Sequence, residues 1–443
     1  MRNEYGPTRR WSLIPAQEPE LGASVVRKIS RRLLPFLFLL YIVAYVDRIN
    51  VGFAALQMQT QLHFSDAVYG FGAGIFFAGY FLFQVPSNLA LYRVGARRWL
   101  TLLMIAWGLV SSTMMLVHTP RSFYTARFLL GVAEAGFFPG VILYMKNWFP
   151  AAVRARTVAL FMTAGPLAGV VGGPISGALL GLHQKGGLAG WQWLFLMEGA
   201  PAIVLGVICY FFLTDRPADA QWLGTDERAW LADVLNRELE SVHAVSRTNT
   251  LAAFSNGKVW LLAGVSLGLN TCSYGISLWL PSVIHSLSGV NNFVIGLLSV
   301  IPYLSAAVIM VLVGSNSDRT GERRWHIAMP ALVGGVALLI AGPSTSVAPV
   351  IFAMTLGMVG VSSMMGPFWA LSTSLLAESA AAAGIAFINC VGNLGGFFGP
   401  YIVGLVRTLT GGFKGGLLSI GAALTMSGFL VLLVRVRNAR EKV

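Results

Sequence analysis

Charge is what this sequence has least of. Only 11% of its 443 residues are Asp, Glu, Lys or Arg, against roughly 25% in a soluble domain. With 56% hydrophobic residues and a mean hydropathy of +0.69, that deficit excludes an ordinary soluble enzyme and indicates a polytopic membrane protein. The three cysteines, Cys209, Cys272 and Cys390, fall in separate apolar segments without ligand spacing, so neither a disulfide framework nor a metal site organises the chain. The histidines lie in expected loops or at segment ends and offer no buried proton relay. The first 32 residues hold charges and prolines but no apolar run, so no cleaved signal peptide is expected. No P-loop, metal spacing or nucleophile constellation is visible, and neither enzymatic activity nor a cofactor is expected. The net charge of +13 could suit nucleic acid. Its basic residues sit in short loops without an aromatic-basic stacking module, however, and no nucleic-acid partner is expected.

What is present is a series of apolar windows of about 20 residues, the length that crosses a hydrocarbon core of about 30 Å. Twelve are expected, at 33–56, 68–91, 98–117, 122–145, 155–181, 191–213, 258–283, 292–314, 326–343, 348–371, 382–406 and 415–435. They imply an all-α polytopic membrane protein with twelve transmembrane helices in two six-helix bundles. The expected parts are an N-terminal tail (1–32), a first bundle (33–213), a central loop (214–257), a second bundle (258–435) and a short tail (436–443). In this arrangement 25 of the 31 Lys and Arg residues face one side and four face the other. The positive-inside rule then puts both termini in the cytoplasm, with the chain in the cell inner membrane, surrounded by lipid. In the central loop, TDERAWLADVLNRELE reads as an amphipathic surface helix capped by Thr225. It would link the two halves as a tether or a regulatory element.

Few charges lie within the spans. YIVAYVDRINVGF carries Asp47 and Arg48 side by side. Such charges cost about 2.5–3.5 kcal/mol each near the bilayer centre even on lenient scales, and are kept where they face a protein interior or a water-filled path. Arg127 and Glu134, seven residues apart, share a helix face, with Gly131 between them leaving room for a ligand. Glu198, beside Trp191 and Trp193, reads as structural or interfacial. Tyr41, Tyr45 and Tyr80 add hydroxyls in the first half. The second half offers only neutral polar groups: Asn270, Ser273, Tyr274, Trp369, Ser372, Asn389 and Asn393. Asp47 and Glu134 balance Arg48 and Arg127. An entering carboxylate would seek the planar fork of an arginine and favour proton uptake by the competing acids. The same charges could instead simply hold helices together. Glycines 165, 169, 173, 177 and 181 recur at every fourth position, the pattern of a close helix seam.

A repeat supports two halves. NLALYRVGARR, from Asn88 to Arg98, matches GSNSDRTGERR, from Gly314 to Arg324, so that Arg93, Gly95, Arg97 and Arg98 correspond to Arg319, Gly321, Arg323 and Arg324. The second copy, with Gly314 and Asp318, resembles the complete loop signature of the major facilitator superfamily. The first departs from it, with Asn88 for the glycine and Tyr92 for the aspartate. YVDRINVGFAAL, RFLLGVAEAGFFPGVILYMKNWFP, GWQWLFLMEGAPA and INCVGNLGGFFGP resemble the anion:cation symporter branch, which includes tartrate, aldonate, phthalate and vesicular glutamate carriers. That resemblance implies proton coupling by Asp47 and Glu134. It implies a carboxylate held by Arg127, with Arg48, Tyr45, Tyr80 and Asn393 completing the pocket and Trp369 and Ser372 as contacts. The Arg-rich loops would latch the halves during rocking. Gly165 stands where sugar-acid carriers can have a polar side chain, which favours a smaller anion. The expected function is proton-coupled uptake of a small organic anion, most simply a tartrate-like dicarboxylate, by a monomer working through alternating access. An exporter or exchanger of the same fold is the alternative. A nutrient receptor would need a signalling domain that the sequence does not offer.

Overall fold

The computed structural model describes residues 19–243, 256–341, 344–375 and 378–434. Most of the N-terminal tail, residues 244–255 of the central loop, Pro343, and the basic residues Arg435, Arg437, Arg440 and Lys442 lie outside the described residues. Among the described residues the regular structure is helical throughout, and twelve helices are long and apolar enough to span a membrane. In order they are Glu20–Leu62, Asp66–Val94, Ala96–Leu116, Pro120–Lys146, Ala151–Leu180, Gly190–Phe212, Gly257–Ser288, Asn292–Thr320, Arg324–Ala341, Val347–Leu375, Ala383–Thr410 and Lys414–Leu433.

The first span starts well before its apolar window. Val25, Ile29, Leu33, Leu37 and Leu40 are all buried, a stripe at helical spacing that carries the helix through Arg27, Lys28, Arg31 and Arg32. Two spans are interrupted. The fourth divides into Pro120–Glu134 and Phe137–Lys146, and the fifth into Ala151–Met162 and Ala164–Leu180. Thr119 and Ser122 form a capping box that opens the fourth span.

Spans 1–6 pack on one another, as do spans 7–12. The two bundles meet chiefly where the second span packs on the eleventh and the fifth on the eighth. A shift of six spans maps one of these pairs onto the other, as the sequence repeat requires. Both seams are lined by glycine. A Cβ on Gly173 would stand 2.7 Å from the Gly296 carbonyl oxygen, and one on Gly74 2.7 Å from that of Phe397. The glycines thus let backbones from opposite bundles touch.

These contacts gather at one end. There Arg407 pairs with Asp66 at 2.9 Å, the Ala67 N–H donates to Thr408, and the Tyr69 hydroxyl donates to the Leu278 carbonyl oxygen at 2.7 Å. Along the second and eighth spans, burial is dense near Asp66 and Asn292 and thins past Tyr80 and Ala306 toward the Arg-rich loops. The bundles are therefore closed at the Asp66 end and part toward the loop end.

The central-loop helix Thr225–His243 lies along the first bundle. Lys28 pairs with Glu227 at 2.7 Å, Arg154 with Glu238 at 2.6 Å, and Trp230 packs on Gly22.

Candidate functional site

Adjacent residues on a helix point about 100° apart, so Asp47 and Arg48 serve different neighbours. Arg48 turns toward the junction of the bundles. Its Nη2 donates to Glu134 and its Nη1 donates to the Tyr274 hydroxyl oxygen at 3.1 Å. The rings of Tyr80, Phe76 and Tyr45 lie 5.3, 5.5 and 6.0 Å from the guanidinium carbon, close enough for cation–π attraction. Asp47 turns into the first bundle, where its Oδ1 accepts from Ser111 and, at 3.0 Å, from Asn50 Nδ2. Asn50 is three residues on, one turn along the same face.

Arg127 is 0% exposed. Its Nε and Nη2 donate to the Gly72 and Ala73 carbonyl oxygens at 3.4 and 3.3 Å, and its Nη1 has no partner. It shares the Pro120–Glu134 helix with Glu134, but the space expected at Gly131 is taken. A Cβ there would stand 1.9 Å from the Phe76 carbonyl oxygen. That glycine admits the second span's backbone rather than a ligand.

Glu198 is buried within the first bundle. It is 6% exposed and accepts from Ser176 at 2.7 Å.

The second bundle supplies Tyr274, whose ring centroid is 4.3 Å from that of Phe77, and Asn393, whose Nδ2 donates across the junction to Gln84 at 3.4 Å. Trp369 is half-buried beside Phe368. Ser372 is fully buried and donates to its own helix at the Phe368 carbonyl oxygen, 2.8 Å away. Gly165 faces the Tyr45 ring, which a Cβ would meet at 3.8 Å. The structure thus gathers Arg48, Glu134, Tyr45 and Tyr80 around one point, with Asp47 adjoining and Arg127 behind, while Ser372 bonds elsewhere. Tyr274 is one of the second half's expected polar groups, while Asn50, Ser111 and Gln84 are partners that the sequence reading does not name. The spacing of Asn50 from Asp47 was the one available signal. Among the described residues no group of three or more His, Cys, Asp or Glu side chains is placed to hold a metal ion.

The two loop motifs each turn at a glycine with positive φ and differ in their acids. Gly95 and Gly321 sit at φ of 92° and 71°, where a side chain is disfavoured. In the second copy Asp318 pairs with Arg323 at 2.7 Å, while Gly314, Arg319 and Arg324 flank that turn. In the first copy Tyr92 replaces the acid, and Asp215 from the end of the sixth span takes its place. Its Oδ1 accepts the Arg97 N–H at 2.8 Å, and its Oδ2 lies 3.7 Å from Arg97 Nε. Arg98 is exposed beside it. Each of these pairs stays within its own bundle in this conformation.

Comparison with known proteins places this geometry in context. The family model described as Major Facilitator Superfamily matches residues 37–400. A protein assigned as a tartrate transporter in Agrobacterium vitis is 49% identical over 95% of this chain and 97% of its own. A quinolone resistance transporter of Acinetobacter baumannii is 38% identical over 94% of this chain and 96% of its own. Among solved structures, a bacterial homologue of the human lysosomal transporter Spinster, inward-facing and occupied, superposes with a TM-score of 0.73 at 17% identity, covering 90% of this chain and 96% of that one.

Proposed function

The chain belongs to the major facilitator superfamily and is a membrane transporter rather than an enzyme; from that premise we propose that it couples inward movement of protons to uptake of a small organic anion, a tartrate-like dicarboxylate. The observation that carries this reading is the guanidinium of Arg48, held between Glu134 in one bundle and Tyr274 in the other. An arriving carboxylate competes for that guanidinium. Glu134, displaced, takes up a proton in place of its ion pair. The unpartnered Nη1 of Arg127 is available to a second carboxylate oxygen, and Asp47 is the other proton acceptor. Tyr45, Tyr80, Asn393 and Trp369 bound the pocket. Because Tyr274 belongs to the second bundle, exchanging partners on Arg48 changes what ties the bundles together, and rocking exposes the site to the other face. The named activity of the Agrobacterium vitis relative supports the choice of anion. The cell inner membrane, with both termini cytoplasmic, is the proposed setting.

The test is labelled tartrate uptake into proteoliposomes, acidic outside. Accumulation that collapses when the pH gradient is dissipated is expected. Uptake indifferent to that gradient, with no accompanying proton movement, would overturn the coupling. Export is the second reading, favoured by similarity to the quinolone resistance transporter. Efflux of bulky aromatic compounds with no tartrate uptake would select it.

A further inference from the structure

At the closed end, polar contacts between the bundles converge on the first turn of the second span. Asp66 Oδ1 accepts from Arg407 Nη1 at 2.9 Å, the Ala67 N–H donates to Thr408 Oγ1 at 2.9 Å, and Tyr69 donates to the Leu278 carbonyl oxygen at 2.7 Å. The Tyr69 ring meets Trp279 of the seventh span edge-on, with centroids 4.7 Å apart. Of the ion pairs among the described residues, Asp66–Arg407 alone joins the two bundles. The repeat makes this pair one-sided. The shift of 226 residues that takes Arg93 to Arg319 takes Asp66 to Asn292. That uncharged residue opens the eighth span, and its carbonyl oxygen stands 2.5 Å from the place of a Cβ on Gly177.

Both partners of the ion pair are held in place by their own surroundings. Gln59 donates to Asp66 Oδ1 at 3.2 Å, and the Arg407 guanidinium carbon lies 4.0 Å from the Phe413 ring centroid and 5.7 Å from that of Trp279. Such placement reduces the side-chain entropy that weakens most partly exposed pairs. The pair is also open to water. Each side chain is 24% exposed, and both line a cavity of about 500 Å³ together with Thr60, Ser282, His285 and Ser286. Water there can solvate both charges when they part, so opening costs less than for a dry pair. Ions in that water can screen the attraction.

We propose that Asp66 and Arg407 form a salt-sensitive latch that holds the bundles shut at this end. Parting the pair frees the start of the second span from the eleventh and lets the bundles open there. The latch requires neither the cargo nor the proton coupling assigned above.

Pulsed electron resonance on the full-length protein in nanodiscs tests this. Nitroxides are attached at Arg121→Cys and Lys414→Cys in a background lacking the native cysteines. Both positions are exposed, one in each bundle. Arg121 precedes Phe123, whose ring is 5.7 Å from that of Phe64, and Lys414 follows Phe413. Asp66→Asn should raise the population with the longer separation about two- to fivefold, as the strength of partly exposed pairs allows, and Arg407→Gln should match it. Raising salt from about 0.1 to 1 M shortens the Debye length from about 10 to 3 Å. It should lengthen the wild-type separation in the same way and leave both variants unmoved. Variants with the wild-type separation, or a salt response equal in wild type and variants, overturn the latch. If one variant does not fold, the other decides by its salt response, which a merely structural role would leave in place.

Discussion

The guanidinium of Arg48 and the hydroxyl of Tyr274 lie 3.1 Å apart across the junction of the two bundles, so the residue that pairs with Glu134 also fastens one bundle to the other. A hydrogen bond to a charged group contributes about 1.5–3 kcal/mol. Tyr274→Phe should therefore shift the protein away from the conformation closed at the Asp66 end, by tenfold or more. Labelling of a cysteine introduced at Ala67, in a background lacking the native cysteines, reports this shift. Unaltered labelling would show that the bond does not govern closure.

Asp47→Asn and Glu134→Gln should abolish gradient-driven accumulation of tartrate while sparing exchange of labelled for unlabelled anion. Each variant keeps the shape of its side chain and loses the proton site. Truncation of Glu134 to Ala should be harsher. It strands Arg48 as a buried charge, at about 3–5 kcal/mol, and should appear as a lower melting temperature. Wild-type accumulation in the two isosteric variants would reject their assigned roles.

The glycine seams make a size prediction. Ala at Gly173 would place its Cβ 2.7 Å from the Gly296 carbonyl oxygen, and backbone cannot step aside as a flexible side chain can. Gly173→Ala should slow uptake by about tenfold, which corresponds to about 1.4 kcal/mol. Gly257→Ala, where no atom lies within 4 Å of the added Cβ, should behave as wild type. Equal rates in the two variants would remove the seam from the transport cycle.

Asp215 stands in for the acid that the first loop lacks. Asp215→Asn weakens both the ion pair and the bond from the Arg97 N–H, and should lower stability by about 0.5–2 kcal/mol, as loss of a helix cap does. Tyr92 is 72% exposed and occupies the position equivalent to Asp318. Adding Tyr92→Asp should restore the loss. A double variant no more stable than Asp215→Asn would show that the two acids are not equivalent.

Docking of the central helix should depend on pH. The hydrogen bond from Lys28, helped by the Gly224 N–H, holds the Glu227 carboxyl below its ordinary range. A carboxyl lowered in the folded state contributes stability that is present above its unfolded pKa of about 4.3 and lost as pH falls through the folded value. Hydrogen-exchange protection over 225–243, taken relative to the intrinsic amide rate at each pH, should fall in acid, and Lys28→Ala should shrink that response. Identical profiles would assign the docking to Trp230 and its neighbours alone.

Much of this was legible in the sequence, through particular residues. Hydropathy finds the spans because lipid imposes length and composition on every one of them. It misses the start of the first span, where buried Val25 and Ile29 alternate with Arg27 and Lys28 and the average hides the stripe. It also misses the breaks after Glu134 and at Thr163, where apolar sequence continues through a change of backbone. Asp47, Arg48, Arg127 and Glu134 stand out because charge is rare within spans. Their partners do not stand out. Tyr274 and Ser111 are unremarkable polar residues until the fold sets them beside Arg48 and Asp47. Nothing near Tyr92 reveals that Asp215 will supply the missing acid, because that contact exists only once the sixth span returns to the loop.

The buried charges among the described residues belong to one bundle, and the other presents Tyr274 and Asn393 to the junction. On the proposed function, the ionic groups that bind the carboxylate and the proton lie in one bundle, and the neutral groups that meet the rest of the anion come from the other. A hybrid joining residues 19–243 to the second bundle of a relative with a different cargo would inherit its driving force from one parent and its taste in ligands from the other. Inheritance of both traits together would mean that the charged bundle does the choosing as well.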